Sequence, residues 1–182
     1  MAFLSCLPNF VIMAPSNEQE LINMIKTSVS YNDGPLAIRY PRGEANTIER
    51  TTEAKTIKIG KGKILLTNYT NNKKGDIAFL SIGTRLDDTL EASKKLRSAG
   101  YAVSVADARF AKPIDNQMIL ELANNNNSLL LIEEASSGGF SSSVITFLVN
   151  SDLTNSKFRI KTLSMPDSFI DHKSQEEQIA QA

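Results

Sequence analysis

Cysteine and histidine are nearly missing from this chain, with Cys6 and His172 the single representatives of each among 182 residues. One cysteine excludes an intrachain disulfide and a cysteine-rich zinc site. One histidine leaves Ser-His-Asp or Cys-His catalysis a single place to form. Its sequence neighbour Asp171 is not the spatially arranged partner such a set needs. The polar run Asp171-His172-Lys173-Ser174-Gln175-Glu176-Glu177 reads instead as the start of a helix carrying a solvated or capping histidine. Net charge is missing too, since 20 basic residues balance 20 acidic ones. With no basic excess and no Lys/Arg cluster interleaved with aromatics, nucleic acid is not an expected partner. No apolar run reaches the ~18 residues of a membrane span. The weakly apolar start, Met1 to Pro8, lacks the charged n-region and long apolar core of a signal peptide. A cytoplasmic location is the default expectation, and no carboxylate cluster has the spacing of a Ca²⁺ loop.

What is present is ordinary for a globular chain, 41% hydrophobic and 22% charged residues. The length suits one medium domain, or a small domain with an attached piece. Phe10 to Ala14 reads as a buried strand stopped by Pro15. Ser16-Asn17-Glu18-Gln19 matches a capping box, with Leu21, Ile22, Ile25 and Val29 on one face of the helix that follows. Leu36 to Ile38 completes a βαβ unit, which favours parallel strands. The run from Glu44 to Thr56 is polar and weakly periodic, a linker. Beyond it, strands are expected at Ile64–Leu66, Ile77–Ile82, Tyr101–Ala106, Leu129–Ile132 and Arg159–Leu163, with a polar hairpin-like loop at Asn68–Gly75. Helices are expected from Leu86 to Ala99, after Pro113-Ile114-Asp115, and from Ser142 to Val149. Alternation of strand and helix makes this an α/β chain with a mostly parallel sheet.

Polar groups gather where these strands end: Arg39 and Arg42, Gly83-Thr84, Asp107 and Arg109, Glu133-Glu134. The segment Tyr31 to Gly43 is the most informative. Its Asn-Asp-Gly-Pro turn, with Gly34 permitting positive φ, feeds a short strand that stops at Arg39-Tyr40-Pro41-Arg42-Gly43. Two guanidiniums at a strand end suit a carboxylate or phosphate, although ion-paired surface arginines fit the spacing as well. Glu133 and Glu134 are adjacent and point opposite ways in a strand, which disfavours shared acid/base work. Ser137-Gly138-Gly139-Phe140 before a helix is either a phosphate cradle or, more in keeping with its lack of Gly-x-Gly-x-x-Gly or Walker spacing, a packing turn. Asp107-Ala108-Arg109-Phe110 reads as a local Asp–Arg pair or an interface contact, the latter favoured. No residue stands out as nucleophile, general base or metal ligand.

Taken in order, several motifs resemble one family. They are Cys6-Leu7-Pro8-Asn9, Val11-Ile12-Met13-Ala14-Pro15-Ser16, Tyr31-Asn32-Asp33-Gly34-Pro35, Arg39-Tyr40-Pro41-Arg42-Gly43 and Ile59-Gly60-Lys61-Gly62. Asp107 to Asp115, Ile132-Glu133-Glu134 and Pro166-Asp167 follow. The chain looks like the C-terminal part of the 1-deoxy-D-xylulose-5-phosphate synthases, transketolase-like enzymes that use thiamine diphosphate and Mg²⁺. The resemblance implies an α/β fold in two parts. Residues 1–43 would be the end of a pyrimidine-binding domain, 44–56 a linker and 57–182 a transketolase C-terminal-like domain with a mostly parallel sheet flanked by helices. It implies condensation of pyruvate with glyceraldehyde 3-phosphate, with loss of CO2, in a cytoplasmic homodimer feeding isoprenoid, thiamine and pyridoxal phosphate synthesis. Arg42 matches the family's ligand for the aldehyde's phosphate, with Arg39 and Tyr40 in support.

The same resemblance implies that the Gly-Asp-Gly diphosphate-and-Mg²⁺ motif, the activating glutamate and the Thr-His-x-Gly histidine belong to a portion outside this chain. Alone, this chain is therefore expected to be inactive, and the apolar segment Phe10 to Ala14 to be an aggregation liability. Ser141-Ser142-Ser143 departs from the family's glycine-richer turn. Another transketolase-like enzyme, or a non-catalytic dimerisation or regulatory module on the same fold, are the alternatives.

Overall fold

The computed structural model describes residues 1–41, 53–70, 73–135, 137–151, 153, 158–168 and 177. Arg42, Gly43, His172 and the linker up to residue 52 lie outside the described residues.

A short helix α1 (Ala2–Ser5) precedes strand β1 (Val11–Met13), helix α2 (Glu18–Ser30) and strand β2 (Leu36–Ile38). β1 and β2 pair in parallel, as the βαβ reading requires. At Gly34 the turn is not in the positive-φ region. Its glycine answers a close approach, because a Cβ there would lie 3.0 Å from the Asn9 carbonyl oxygen.

The remainder runs β3 (Lys63–Leu66), β4 (Ile77–Ile82), α3 (Leu86–Ser98), β5 (Val103–Asp107), β6 (Phe110–Lys112), α4 (Asn116–Asn125), β7 (Ser128–Glu133), α5 (Phe140–Asn150) and β8 (Arg159–Leu163). Five of these strands form a sheet in the order β3-β5-β4-β7-β8. It is parallel except for the edge pair β3–β5. The sixth, β6, pairs antiparallel with β1, giving a second sheet in the order β2-β1-β6. β1 thus has a partner on each side and Val11 to Ala14 are buried, so the exposed, aggregation-prone segment expected from the sequence is not found.

Period-2 alternation sorts the side chains by face. From β4, Ala78, Leu80 and Ile82 meet α4 and α5, while Phe79 joins Val103, Val105 and Leu86 beneath α3. The first of these clusters continues into the small sheet through Ile12 of β1 and Ala14 just after it. Val11 and Met13 point the other way, onto Met24 of α2 and Phe110 of β6. One hydrophobic core therefore crosses from sheet to sheet.

Two details of α2 differ from the sequence reading. Its N-cap is Asn17, whose Oδ1 accepts from the Glu20 N–H at 2.9 Å, and not Ser16. Ser16 is taken elsewhere, donating through Oγ to Asp107. The inward face is also another one: Glu20, Met24 and Thr27 are buried, whereas Ile22, Ile25 and Val29 are exposed. The cause is that two of the three inward positions are polar and find partners, so the apolar stripe no longer marks the core face.

Candidate functional site

The strand ends named from sequence converge on one junction between the two sheets, in two adjoining clusters. The first is centred on Glu134, just past β7. Its Oε2 accepts from Thr84 Oγ1 at 2.8 Å and faces Arg39 Nη1 at 3.6 Å and Arg85 Nε at 3.7 Å. Arg39 also donates through Nη2 to the Glu134 carbonyl oxygen at 3.0 Å. The chain reaches these positions because Gly83 turns with φ +74°, a left-handed value that glycine adopts without strain. That turn converts the end of β4 into a 3-10 turn, Gly83–Arg85, and aims Thr84 and Arg85 at Glu134. Arg85 is anchored by Asp88 at 2.7 Å. The result is one carboxylate between two guanidiniums, partly screened from water.

The second cluster belongs to Asp107, at the end of β5 and 3% exposed. Its Oδ2 accepts from Ser16 Oγ at 2.8 Å and its Oδ1 from the Arg109 N–H at 2.9 Å. Burial raises its pKa to about 6, against the pull of those two bonds; the Glu20 charge adds to the rise and that of Arg109 opposes it. Arg109 sits at φ +58°, costly for a side-chain-bearing residue, and its guanidinium meets Glu20 of α2 at 2.6 Å. Glu20 Oε2 and Arg109 Nε are buried without a hydrogen-bond partner among the described residues.

Glu133 faces away from Glu134. Its carboxylate accepts the N–H groups of Phe140 and Ser141, both at 2.9 Å, capping α5. A Cβ on Gly139 would lie 2.5 Å from that carboxylate, so the turn has glycine there to admit Glu133.

The family described as "Transketolase, C-terminal domain" matches residues 68–182. The chain belongs to that family. A solved structure described as "Split gene transketolase, inactive beta4 tetramer" superposes with a TM-score of 0.75 at 24% identity, over 91% of this chain and 52% of that one. The chain thus spans about half the length of that structure, and the likeness bears on the fold.

In this transketolase C-terminal domain and its preceding segment, the junction collects Arg39, Thr84, Asp107, Arg109 and Glu134 from the residues singled out in sequence. Arg42 lies outside the described residues, and Tyr40 is 61% exposed. Arg85, Ser16 and Glu20 were missed as site residues. Only Arg85 had a signal, as the residue following Gly83-Thr84. The favoured reading of Asp107 to Phe110 as an interface agrees with the contacts to Ser16 and Glu20. The expected packing turn at Ser137–Phe140 agrees with the Glu133 cap, which fills the helix end a phosphate would use.

The described residues do not fit thiamine diphosphate with its metal. No group of three or more His, Cys, Asp or Glu among them could hold a metal ion. The one glycine-rich helix start is occupied by Glu133. Nor is any helix among them long and apolar enough to cross a membrane.

Proposed function

We propose that this chain is the C-terminal portion of a thiamine diphosphate-dependent transferase of transketolase type, and specifically of a 1-deoxy-D-xylulose-5-phosphate synthase. The observation that carries the reading is the sequence Arg39-Tyr40-Pro41-Arg42-Gly43, which follows β2 in the chain. Its first arginine is fixed by Glu134 at the junction. On this reading Arg42 binds the phosphate of glyceraldehyde 3-phosphate, with Arg39 and Tyr40 in support. Pyruvate is the second substrate, and thiamine diphosphate with Mg²⁺ is held by residues outside this chain. The enzyme is a cytoplasmic homodimer serving isoprenoid and thiamine biosynthesis. The exposed apolar residues Ile22, Ile25 and Val29 of α2 are consistent with a covered surface in that assembly.

A coupled assay for 1-deoxy-D-xylulose 5-phosphate tests the reading, with this chain alone and with an N-terminal portion of the enzyme supplied. Product is expected only in the second case, from a species that sediments as a dimer of the combined parts. Arg42→Ala should lower kcat/KM for the phosphorylated aldehyde about 10- to 100-fold, since a hydrogen bond to a charged group contributes about 1.5–3 kcal/mol. Turnover by this chain alone, or an Arg42→Ala protein as active as its parent, would overturn it. The similar solved structure is a split-gene transketolase, which makes transketolase the second reading. Preference of the reconstituted protein for a ketose donor over pyruvate would decide for it.

A further inference from the structure

Residues 53–58 form a strap laid along α2. Lys26 Nζ donates to the Ala54 carbonyl oxygen, the Lys55 N–H to Asn23 Oδ1, and the Ile57 N–H to Thr27 Oγ1, each at 2.8 Å. Between this strap, the turn before β3 and Arg109 lies a groove of about 770 Å³. Its charge is lopsided in a chain whose formal charge is zero: among the described residues Lys55, Lys58, Lys61, Lys63 and Arg109 line it against Glu20 and Glu53. Two of the cations are committed. Arg109 holds Glu20 at 2.6 Å, and Lys61 holds Asp115 at 3.1 Å and Gln117 at 2.7 Å. Lys55, Lys58 and Lys63 are exposed, and their ammonium groups make no hydrogen bond or ion pair among the described residues.

We propose that this groove binds a small phosphorylated organic anion carrying two or more negative charges. Three uncommitted lysines lining the groove with one exposed carboxylate, Glu53, leave a local positive excess among the described residues that an anion of that charge neutralises. Lysine ammoniums are compact, mobile point charges that follow a phosphate without demanding the planar fit of an arginine fork. The volume falls within the ~300–1,000 Å³ of small-molecule sites, too roomy for a single inorganic ion. The strap's bonds to Asn23 and Thr27 fix the backbone that carries Lys55 and Lys58, so the site is partly formed before anything binds. Binding here joins the strap to the edge strand β3 and does not depend on the reaction proposed above.

Calorimetric titration of the full chain with fructose 1,6-bisphosphate at fixed, physiological ionic strength tests this. One saturable site is expected, weakened about tenfold when Lys58→Ser and Lys63→Ser are combined, as two half-screened charge pairs imply. The pair Lys94→Ser and Lys95→Ser on α3 should leave affinity unchanged. In the unmodified protein, amide resonances of residues 53–63 should shift on titration while those of α3 do not. Absence of saturation overturns the proposal, as does equal weakening by the α3 pair. Loss through Arg42→Ala with the groove pair unaffected would also overturn it, and would assign the anion to the substrate-phosphate position instead.

Discussion

The carboxyl of Asp107 is held between the Ser16 hydroxyl and the Arg109 peptide N–H in a nearly dry junction, and burial moves its pKa from 3.8 to about 6. A carboxyl whose pKa rises on folding binds its proton more tightly in the folded state. Its contribution to stability is therefore greatest below about pH 4, falls as pH rises towards about 6, and is constant above that. A rise of this size corresponds to on the order of 3 kcal/mol. Asp107→Asn keeps an oxygen for the Arg109 N–H and an amide for Ser16, and does not ionise. Relative to the parent, this variant should gain stability between about pH 4 and pH 6 and hold the gain at higher pH. Denaturant unfolding of both proteins across that range reads the difference directly; a difference that does not change with pH would sink the argument. Asp107 and Arg109 were legible in sequence because they stand at a strand end. Ser16 was not, because the two bonded residues are separated by 91 positions and nothing in a serine after a proline announces such a partner.

Elements with strong periodicity and clear punctuation were the readable ones. β8 has the bounds expected of it, Arg159–Leu163, and α4 starts after the cap Asp115 that follows Pro113. β6 was not read, since three residues after a left-handed Arg109 carry no period of their own. The linker reading and the helix expected around His172 fall largely outside the described residues. α5 shows how a single side chain can define an element. Its first N–H groups are satisfied by Glu133, a residue of the preceding strand, and not by a local cap. Glu133→Ala would leave two buried donors without partners, at about 1–3 kcal/mol each. Glu133→Gln keeps acceptor capacity and loses mainly the charge at the helix's positive end, about 1 kcal/mol. Urea unfolding of the two variants should therefore rank Ala well below Gln, with amide exchange at Phe140 and Ser141 accelerated most in the alanine protein. Equal, small losses in both would mean that water satisfies those N–H groups and that the cap contributes little.

The two sheets share covalent and packed connections that make separate folding implausible on physical grounds. β6 follows β5 directly in the chain yet hydrogen-bonds to β1, where the Ala14 N–H also donates to the Arg109 carbonyl oxygen at 2.9 Å. Ile12 and Ala14 lie in the larger core, and the Ser16–Asp107, Glu20–Arg109 and Arg39–Glu134 contacts close the same junction. Opening the small sheet would thus expose part of the large one and strand several polar groups, so neither can open cheaply alone. The consequence is a single cooperative unit. Phe110, wholly buried against Val11, Met13 and Met24, is the place to perturb it. Phe110→Ala should cost about 3–5 kcal/mol, and the loss should be felt on both sides of the junction. Hydrogen exchange under rising denaturant gives the opening free energy at the Ala14 amide beside β1 and at the Val105 amide inside β5. Coupled sheets require the two values to fall together in the variant. If Ala14 loses protection while Val105 keeps its own, the junction is a contact between independently stable parts, and its partly buried ion pairs then hold orientation and not the fold.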